Sequence, residues 1–336
     1  MPLEKFFSTV GQAFALLISL SPLLPAASLD DLSYYEFDGS IRITKCSQTA
    51  TGELEIPPLI DDKPVTVIND SAFSMCNRLT RVTLPPSVTR IGNRSFYQCY
   101  GLTGMAIPAG VDSIGSEAFF YCDGLTTLTL GSGLTVIGDS TFKWCTRLTS
   151  VTFPASVTTI GSNAFLTCSA LKNATFLGNA PYTGDGVFNE APAKFKIQFH
   201  DGKKGFTSPT WRGYPAVRLS AEIVIEQPTG TGLVSGTATK SFGTVARGKV
   251  GTPKKFTVKN SGKIPLTGLA ITIGGSHSKD FIVTAPLVAT LAPGASATFK
   301  VTFNPRAKGS RSAVLSIKSN DRDENPFRIS VRGTGK

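Results

Sequence analysis

The chain has 336 residues, of which 41% are hydrophobic and 17% charged, and this composition excludes an intrinsically disordered protein. The formal net charge is +11, and the excess lies in the last third: residues 1–220 contain 17 basic and 17 acidic side chains, and residues 221–336 contain 17 and 6. No arginine-rich run accompanies that charge, so nucleic acid is not an expected partner. A basic surface that keeps the protein soluble is the favoured interpretation, and an anionic partner is the alternative.

Residues 1–28 are predicted to be a cleaved export signal. Lys5 and the terminal amino group precede an apolar run at residues 13–20, and small residues at 26–28 provide a cleavage site. The run is short and two prolines follow it, which argues against a transmembrane helix. We therefore expect an exported protein with no membrane span in the mature chain.

Within residues 61–219 five regular repeats and a degraded sixth follow one another with a period of 23, as in AFSMC at Ala72–Cys76 and AFFYC at Ala118–Cys122. Five columns agree over five repeats: one holds Phe, one holds Cys, and the others hold Ile, Leu and Val. Such a period indicates stacked repeats. The two most distinctive columns are Phe73, Phe96, Phe119, Phe142, Phe165 and Phe188, and Cys76, Cys99, Cys122, Cys145 and Cys168.

Each repeat changes its pattern along its length. Leu148–Phe153 alternates like a strand, Val157–Gly161 is a second short extended piece, and Ser162–Cys168 fits one helical or 3₁₀ turn. Burial of about seven inward side chains does not offset the conformational entropy that is lost when the whole repeat is ordered. One repeat therefore cannot fold alone, and stacking is required.

The repeat IPxxVxxIGxxAFxxCxxLxxV, present as LPPSVTRIGNRSFYQCYGLTGM from Leu84, resembles the bacterial BspA-type leucine-rich repeat. The resemblance implies a mainly β protein with a leucine-rich-repeat solenoid, an N-terminal cap over residues 29–60, and a C-terminal cap in which Trp211 and Tyr214 cover the last repeat. It also implies a bacterial protein that is secreted, periplasmic or at the cell surface and that attaches to molecules of a host, a matrix or a neighbouring cell.

Six cysteines are present, Cys46 and the five periodic ones. Export would permit disulfides, but cysteine also packs as a small buried hydrophobe. Ala191 takes the column's place in the sixth repeat, which suits a role in filling volume. Buried free thiols are therefore the favoured prediction, with one or two disulfides as the alternative. The sequence has no Cys-x-x-Cys pair to hold zinc.

Residues 221–336 follow a different pattern. Short runs alternate with period two, as in Leu269–Ile273 and Phe299–Phe303, and turn residues separate them. About seven such strands predict a β-sandwich. The segment contains no cysteine, so it has no disulfide between sheets.

Three parts of this segment, Phe242–Val245, Phe303–Pro305 and Asn325–Phe327, resemble the choice-of-anchor D domain. This is an immunoglobulin-like domain of the ASPM/Hydin type, and the resemblance implies a secreted or surface bacterial protein. A covalent anchor often follows such a domain. It is not expected here, because Lys336 comes just after the last predicted strand.

The sequence predicts no catalytic residue, no cofactor and no metal. The only histidines are His200, expected in a solvated turn, and His277, in a Gly-Ser loop. Neither has a neighbourhood typical of a catalytic triad, and phosphate-binding glycine motifs are absent. We therefore predict a protein that is not an enzyme.

One acidic loop leaves two interpretations. Asp321, Asp323 and Glu324, with Asn320 and Asn325, could bind a calcium ion in a turn. A polar hairpin loop without an ion is the favoured interpretation.

The outward positions of the repeat strands are the candidate ligand-binding residues. Side chains alternate in a strand, so inward Val82 and Leu84 place their neighbours outside. The resulting ribbon is flat, neutral and rich in threonine, whose hydroxyl both donates and accepts hydrogen bonds and so suits a glycan or protein ligand. The alternative interpretation is structural, because threonine is favoured at the surface of strands. The candidates are Arg81, Thr83, Thr127, Thr129, Ser150, Thr152, Asn173 and Thr175.

These observations predict an exported, non-enzymatic binding or adhesion protein that recognises an extracellular protein or glycan along the repeat surface. The alternative is a structural envelope component or spacer. Its basic sandwich, residues 221–336, would associate with an anionic envelope polymer.

Overall fold

The computed structural model describes residues 27–284 and 288–336, so the predicted export signal lies almost wholly outside the described residues. The described elements are β-strands apart from two 3₁₀ segments, Leu29–Asp31 and Ser278–Asp280. Among the described residues, no helix is long and apolar enough to cross a membrane.

The chain divides into two compact units, and the first comprises the described part of Met1–Leu148 with Gly161–Ser169 and Gly184–Glu190. Its strands are β1 (Leu32–Phe37), β2 (Ser40–Cys46), β3 (Gly52–Glu55), β4 (Leu59–Ile60), β5 (Lys63–Ile68), β6 (Leu79–Thr83), β7 (Arg90–Ile91), β8 (Gly104–Ala106), β9 (Ser113–Ile114), β10 (Thr127–Thr129) and β11 (Val136–Ile137).

Parallel pairing between successive turns builds the first unit. β1 lies antiparallel to β2, and parallel pairing then runs β2-β5-β7-β9-β11, with β4 antiparallel on β5. A second parallel set runs β3-β6-β8-β10. Between regular turns the pairs join residues one period apart, such as Ile91 with Ile114 and Met105 with Leu128. One sequence repeat is therefore one turn of a β-solenoid, which confirms the predicted fold class for this region.

The segment that carries the Phe and Cys columns differs from the prediction. It is a run of tight turns, not a helical or 3₁₀ turn, because two of its non-glycine residues are left-handed, such as Arg94 (φ 53°) and Gln98 (φ 57°). Each left-handed residue costs about 1–2 kcal/mol. In return, its N–H points along the stack: Arg94 donates to the Ser116 carbonyl at 2.9 Å, and Gln98 to that of Phe120 at 2.8 Å.

The Phe column forms a stack of buried rings. Neighbouring centroids are 4.8 Å apart at Phe73 and Phe96, and 5.6 Å apart at Phe165 and Phe188. The rings are almost parallel at the start of the stack, with 7° between their planes. Each turn therefore buries its ring against the rings of adjacent turns, which a single repeat could not do.

The cysteines are buried and free, which confirms the favoured prediction. They do more than fill volume, because thiols in the column donate to a Phe carbonyl of the preceding turn: Cys99 to Phe73 at 2.9 Å and Cys122 to Phe96 at 3.1 Å. Burial raises the pKa of Cys122 to about 12, so its thiol stays protonated and keeps its donor hydrogen.

The second unit comprises Thr149–Ile160, Ala170–Thr183 and Ala191–Lys336. Its strands are β12 (Ser150–Phe153), β13 (Thr159–Ile160), β14 (Asn173–Phe176), β15 (Tyr182–Thr183), β16 (Lys196–His200), β17 (Thr210–Trp211), β18 (Tyr214–Leu219), β19 (Ile223–Glu226), β20 (Thr239–Val245), β21 (Lys254–Asn260), β22 (Leu266–Thr267), β23 (Ala270–Gly274), β24 (Phe281–Thr284), β25 (Thr290–Leu291), β26 (Ser296–Phe303), β27 (Gly309–Lys318) and β28 (Phe327–Gly335).

The N-terminal part of this unit contains turns of the same kind. β12, β14, β16 and β18 pair in parallel, as do β13 and β15, and β17 lies antiparallel on β18. At the predicted C-terminal cap, Trp211 is buried against Phe176 and Phe206, and its indole N–H donates to the Gly205 carbonyl at 2.9 Å. Tyr214 packs edge-on against the ring of Phe195.

Residues from Ile223 onward form a β-sandwich of two four-stranded sheets, β19-β21-β26-β24 and β20-β28-β27-β23, with a small β22–β25 pair. The core between the sheets contains stacked rings, Phe256 on Phe299 at 5.0 Å and Phe281 on Phe303 at 4.9 Å. The predicted sandwich is therefore confirmed.

Candidate functional site

The predicted ligand-binding residues fall into two groups, one in each unit. In the first unit, Arg81 and Thr83 on β6 and Thr127 and Thr129 on β10 line one shallow depression. Its floor is β8, whose outward positions hold only Gly104 and Ala106. The small residues of β8 let the longer side chains of β6 and β10 form the walls. We call this feature the β8 notch.

The wall of the β8 notch carries a charged pair that the sequence did not reveal. The Arg81 guanidinium lies 3.5 Å from a carboxylate oxygen of Glu53, which faces it from β3. Both side chains are more than half exposed, so the pair contributes little stability and Arg81 can exchange this partner for a ligand. Glu53 was missed because β3 precedes the regular repeats.

The second group lies on β12 and β14 of the second unit. Ser150 and Thr152 are exposed. Asn173 and Thr175 are half-buried and already partnered by Gln198 of β16, which donates to Asn173 at 3.2 Å and accepts from Thr175 at 3.0 Å. Two of these four candidates therefore present free polar groups, and the other two belong to an amide network.

The sequence analysis missed a second group of surface residues, which are half-buried apart from the exposed Tyr100. On the tight-turn segments of the first unit, the Tyr97 ring stacks on Phe120 at 5.1 Å, and Tyr121 stacks on Trp144 at 5.4 Å. Tyr100 lies edge-on to Tyr121 and is exposed. These five residues are called the aromatic face. The signal was available, because the two positions between the Phe and Cys columns read YQ, FY and KW in successive repeats.

Charged groups border the aromatic face. Arg94 lies over the Tyr97 ring and forms a two-pronged ion pair with Glu117, at 2.9 and 3.3 Å. The Lys143 ammonium lies 5.8 Å from the centre of the Phe120 ring. Flat apolar rings beside fixed charges are typical of surfaces that bind a partner.

The side chains that come together at the predicted acidic loop differ from those that the sequence predicted. Asn320 is occupied in fastening the loop, since it accepts from the Thr267 N–H and donates to the Pro265 carbonyl. Asn325 likewise accepts from the Ser319 N–H. In their place Glu222, from the start of the sandwich, joins Asp321 and Asp323, with one carboxylate oxygen of each lying within 4.8 Å of the others.

The two histidines lie in different parts of the fold. His277 accepts a hydrogen bond from the Ser312 N–H at 3.1 Å and so connects its loop to β27. His200 is the last residue of β16 and is half-buried, so it lies in a strand and not in the solvated turn that we predicted. Burial, with a smaller effect of Lys203, lowers the pKa of His200.

Two families match the chain. Residues 66–195 match the BspA type leucine rich repeat region in six copies, and residues 238–334 match the HYDIN/CFA65/VesB-like, Ig-like domain. No curated protein matches the chain.

Several solved structures are similar to parts of it. A leucine-rich repeat protein of T. pallidum is 29% identical, with a TM-score of 0.46, over 52% of this chain and 86% of that one. A leucine rich cell surface protein of Faecalibacterium prausnitzii A2-165 is 22% identical, with a TM-score of 0.44, over 66% and 68%. The ASH/PapD-like domain 7 of human CEP192 is 14% identical, with a TM-score of 0.26, over 39% and 98%. The chain thus joins a BspA-type leucine-rich repeat region to an Ig-like domain of the HYDIN/CFA65/VesB-like type.

Proposed function

We propose that the protein is an exported, non-enzymatic binding or adhesion protein whose repeats recognise an extracellular protein or glycan. It would act after secretion, at the bacterial cell surface or in the periplasm. The observation that carries this proposal is the β8 notch, where Arg81, Thr83, Thr127 and Thr129 surround two small residues.

The β8 notch has the chemistry that a polar ligand requires. Its hydroxyls both donate and accept hydrogen bonds, and the Arg81 guanidinium supplies charged donors. The strands below it are held by parallel pairing and by a buried apolar layer, so little order would be lost on binding. Such a surface favours affinity from many modest contacts spread over several turns.

The aromatic face supports the same class of function. Tyr and Trp are enriched where proteins contact partners, because their rings offer apolar area and a polar tip. Tyr100 is 39% exposed and Met75, one turn earlier, is 45% exposed. Exposed apolar side chains grouped in this way mark interaction surfaces.

The proposal is tested by filling the notch in the full chain. Glycan arrays and purified extracellular-matrix proteins are screened for saturable binding, and Ala106→Trp is compared with Ala109→Trp. Both alanines are exposed, but Ala109 lies in the turn after β8, outside the notch. We expect Ala106→Trp to weaken binding at least tenfold and Ala109→Trp to leave it unchanged. No saturable ligand, or equal effects of both variants, would refute the proposal.

A second candidate function is a structural envelope component held by an anionic polymer. Lys255 of β21 lies directly opposite Lys300 of β26, and both are exposed. Like charges opposite each other in a sheet destabilise it. A bound polyanion would relieve that repulsion, and Lys259 is exposed on the same strand as Lys255.

This candidate predicts salt-sensitive retention on a polyanion such as immobilised long-chain polyphosphate. The double variant Lys255→Gln/Lys300→Gln should elute at clearly lower salt than the control Lys249→Gln/Lys336→Gln, which removes equal charge elsewhere. Equal elution of the two variants would indicate a general charge effect and would remove the case for this surface.

A further inference from the structure

Acidic residues collect at one place in a segment that is otherwise strongly basic. Residues 221–336 contain six acidic side chains, and four of them, Glu222, Asp321, Asp323 and Glu324, lie near one another. The described ion pairs of this segment, Arg311–Asp280 and Arg322–Asp201, do not involve any of the four. Among the described residues, the group therefore has no basic side chain within ion-pair distance.

Asp321 carries the observation that points to a ligand. Asp321 is only 1% exposed, and its Oδ2 atom accepts a hydrogen bond from the Ile223 N–H at 2.8 Å. The other oxygen, Oδ1, is buried and has no hydrogen-bond partner among the described residues. A buried carboxylate oxygen without a donor is costly, and such atoms are normally satisfied by a donor or a cation.

The neighbouring carboxylates add to this cost. One carboxylate oxygen each of Glu222, Asp321 and Asp323 lies within 4.8 Å of the others, and like charges at such a distance repel one another. A cation held between the carboxylates would offset that repulsion.

We propose that Glu222, Asp321 and Asp323 form a binding site for one Ca²⁺ ion. All three ligands are carboxylates, which hard cations prefer, and the group contains no histidine or cysteine to favour zinc. Glu324 adds charge beside the site. Ca²⁺ suits this group better than Mg²⁺, because it accepts irregular geometry and Mg²⁺ requires a near-ideal octahedron.

The ion would connect two parts of the chain that are distant in sequence. Glu222 immediately precedes β19, the first strand of the sandwich, whereas Asp321 and Asp323 lie in the loop between β27 and β28. The same loop carries Arg322, which lies 3.9 Å from Asp201, just beyond β16. Bound Ca²⁺ would fix the loop against β19, and with it the segment that reaches Asp201.

The direct test is isothermal titration calorimetry of the full chain, treated with a chelator and titrated with CaCl₂ or MgCl₂. We expect one Ca²⁺ per chain and weaker binding of Mg²⁺. Thermal unfolding of the sandwich should shift upward as the Ca²⁺ concentration rises, since the ion binds the folded form. No binding of Ca²⁺ at millimolar concentration, or Mg²⁺ binding at least as tight, would overturn the proposal.

Three variants identify the ligands. Asp323→Asn changes an exposed residue, so the fold should survive, and Ca²⁺ affinity should fall at least tenfold. Asp321→Asn should abolish binding, with circular dichroism as a check on folding. Glu226→Gln removes an acid of β19 outside the group and should bind like the unchanged protein. Wild-type affinity in the folded Asp323→Asn protein would refute the assignment.

The competing explanation is that Asp321 and Asp323 share one proton through a side-chain hydrogen bond, and pH separates the two explanations. Burial raises the pKa of Asp321 and of Glu222, so these carboxyl groups take up protons more readily in the folded than in the unfolded protein. In chelator, the stability of the protein should therefore rise as the pH falls from neutral toward those pKa values. If Ca²⁺ binds, adding it at pH 7 should reproduce this gain, and its effect should fade on acidification. A gain on acidification with no effect of Ca²⁺ at pH 7 would establish the shared proton and overturn the ion site.

Discussion

The repeats and the sandwich bury comparable aromatic cores in different ways. In the repeats, a residue contacts its equivalent one period away, as Phe96 contacts Phe119 at 4.9 Å. In the sandwich, contacts such as that between Ile223 and Asp321 join residues 98 positions apart. The difference teaches that stability in the repeats is a sum of similar local interfaces, whereas in the sandwich it depends on a few long-range contacts.

The largest expected effect uses the cysteines, which occur in the repeats and the N-terminal cap and not in the sandwich. Burial raises the pKa of Cys122 and Cys168 to about 12, so at pH 8 about one thiol in ten thousand is ionised. We expect their reaction with a thiol reagent to be at least about a thousandfold slower in the folded than in the unfolded chain. Mass spectrometry of peptides labelled at rising urea concentration would report unfolding of the repeats alone. Rapid labelling without denaturant would contradict the buried column.

The second prediction compares two buried rings. Phe119→Ala in the repeats and Phe299→Ala in the sandwich should each cost about 3–5 kcal/mol, because each leaves a cavity. The reach of the damage should differ. Hydrogen exchange should quicken in the turns next to Phe119, whereas Phe299→Ala should quicken exchange throughout the sandwich.

A control and a contrary outcome define that test. Tyr182 is 71% exposed, so Tyr182→Ala should leave both stability and exchange almost unchanged. If Phe119→Ala quickened exchange equally in every turn, the repeats would be one cooperative block, and the contrast between the regions would fail.

The third prediction concerns the Cys column. Cys122→Ala removes a buried sulfur and its hydrogen bond to the Phe96 carbonyl, at a cost of about 1–2 kcal/mol. Cys122→Ser retains a donor and tests whether the hydrogen bond or the volume matters more. Urea denaturation of the two variants gives the answer, and equal stability of Cys122→Ala and the unchanged protein would show that the column is only tolerated.

The smallest expected effect is a pH dependence at the end of the repeats. Because the pKa of His200 is lowered in the folded state, its neutral form is favoured there. Its contribution to stability is present above the ordinary histidine pKa of about 6.5, and is lost as the pH falls through that value toward the lower folded pKa. His200→Gln should therefore flatten the pH dependence of urea denaturation between pH 7 and 5. An unchanged slope would contradict this assignment.

Much of the repeat architecture could be predicted, because its period gives every column a single environment. Phe119, Cys122 and Ile114 are buried as their columns required, and Arg81 and Thr83 face outward as strand alternation predicted. The tight-turn segments could not be predicted, since left-handed backbone at Gln98 depends on a carbonyl in the next turn. Propensity for a helical turn carries no information about that partner.

The candidate sites show the same limit. The β8 notch follows from alternation and from the small residues Gly104 and Ala106, both visible in the sequence. Glu222 could not be placed beside Asp321, because no periodic pattern relates the start of the sandwich to its last loop. Long-range neighbours of this kind require the folded chain.

The 4.8–5.6 Å step of the Phe stack has a consequence for how such a protein can change over generations. Since each turn meets nearly the same neighbours, loss or duplication of one 23-residue unit by unequal recombination would leave the surrounding turns with familiar partners. Length, and with it the reach of the molecule, could thus vary in whole steps of about one strand spacing without any substitution in the core.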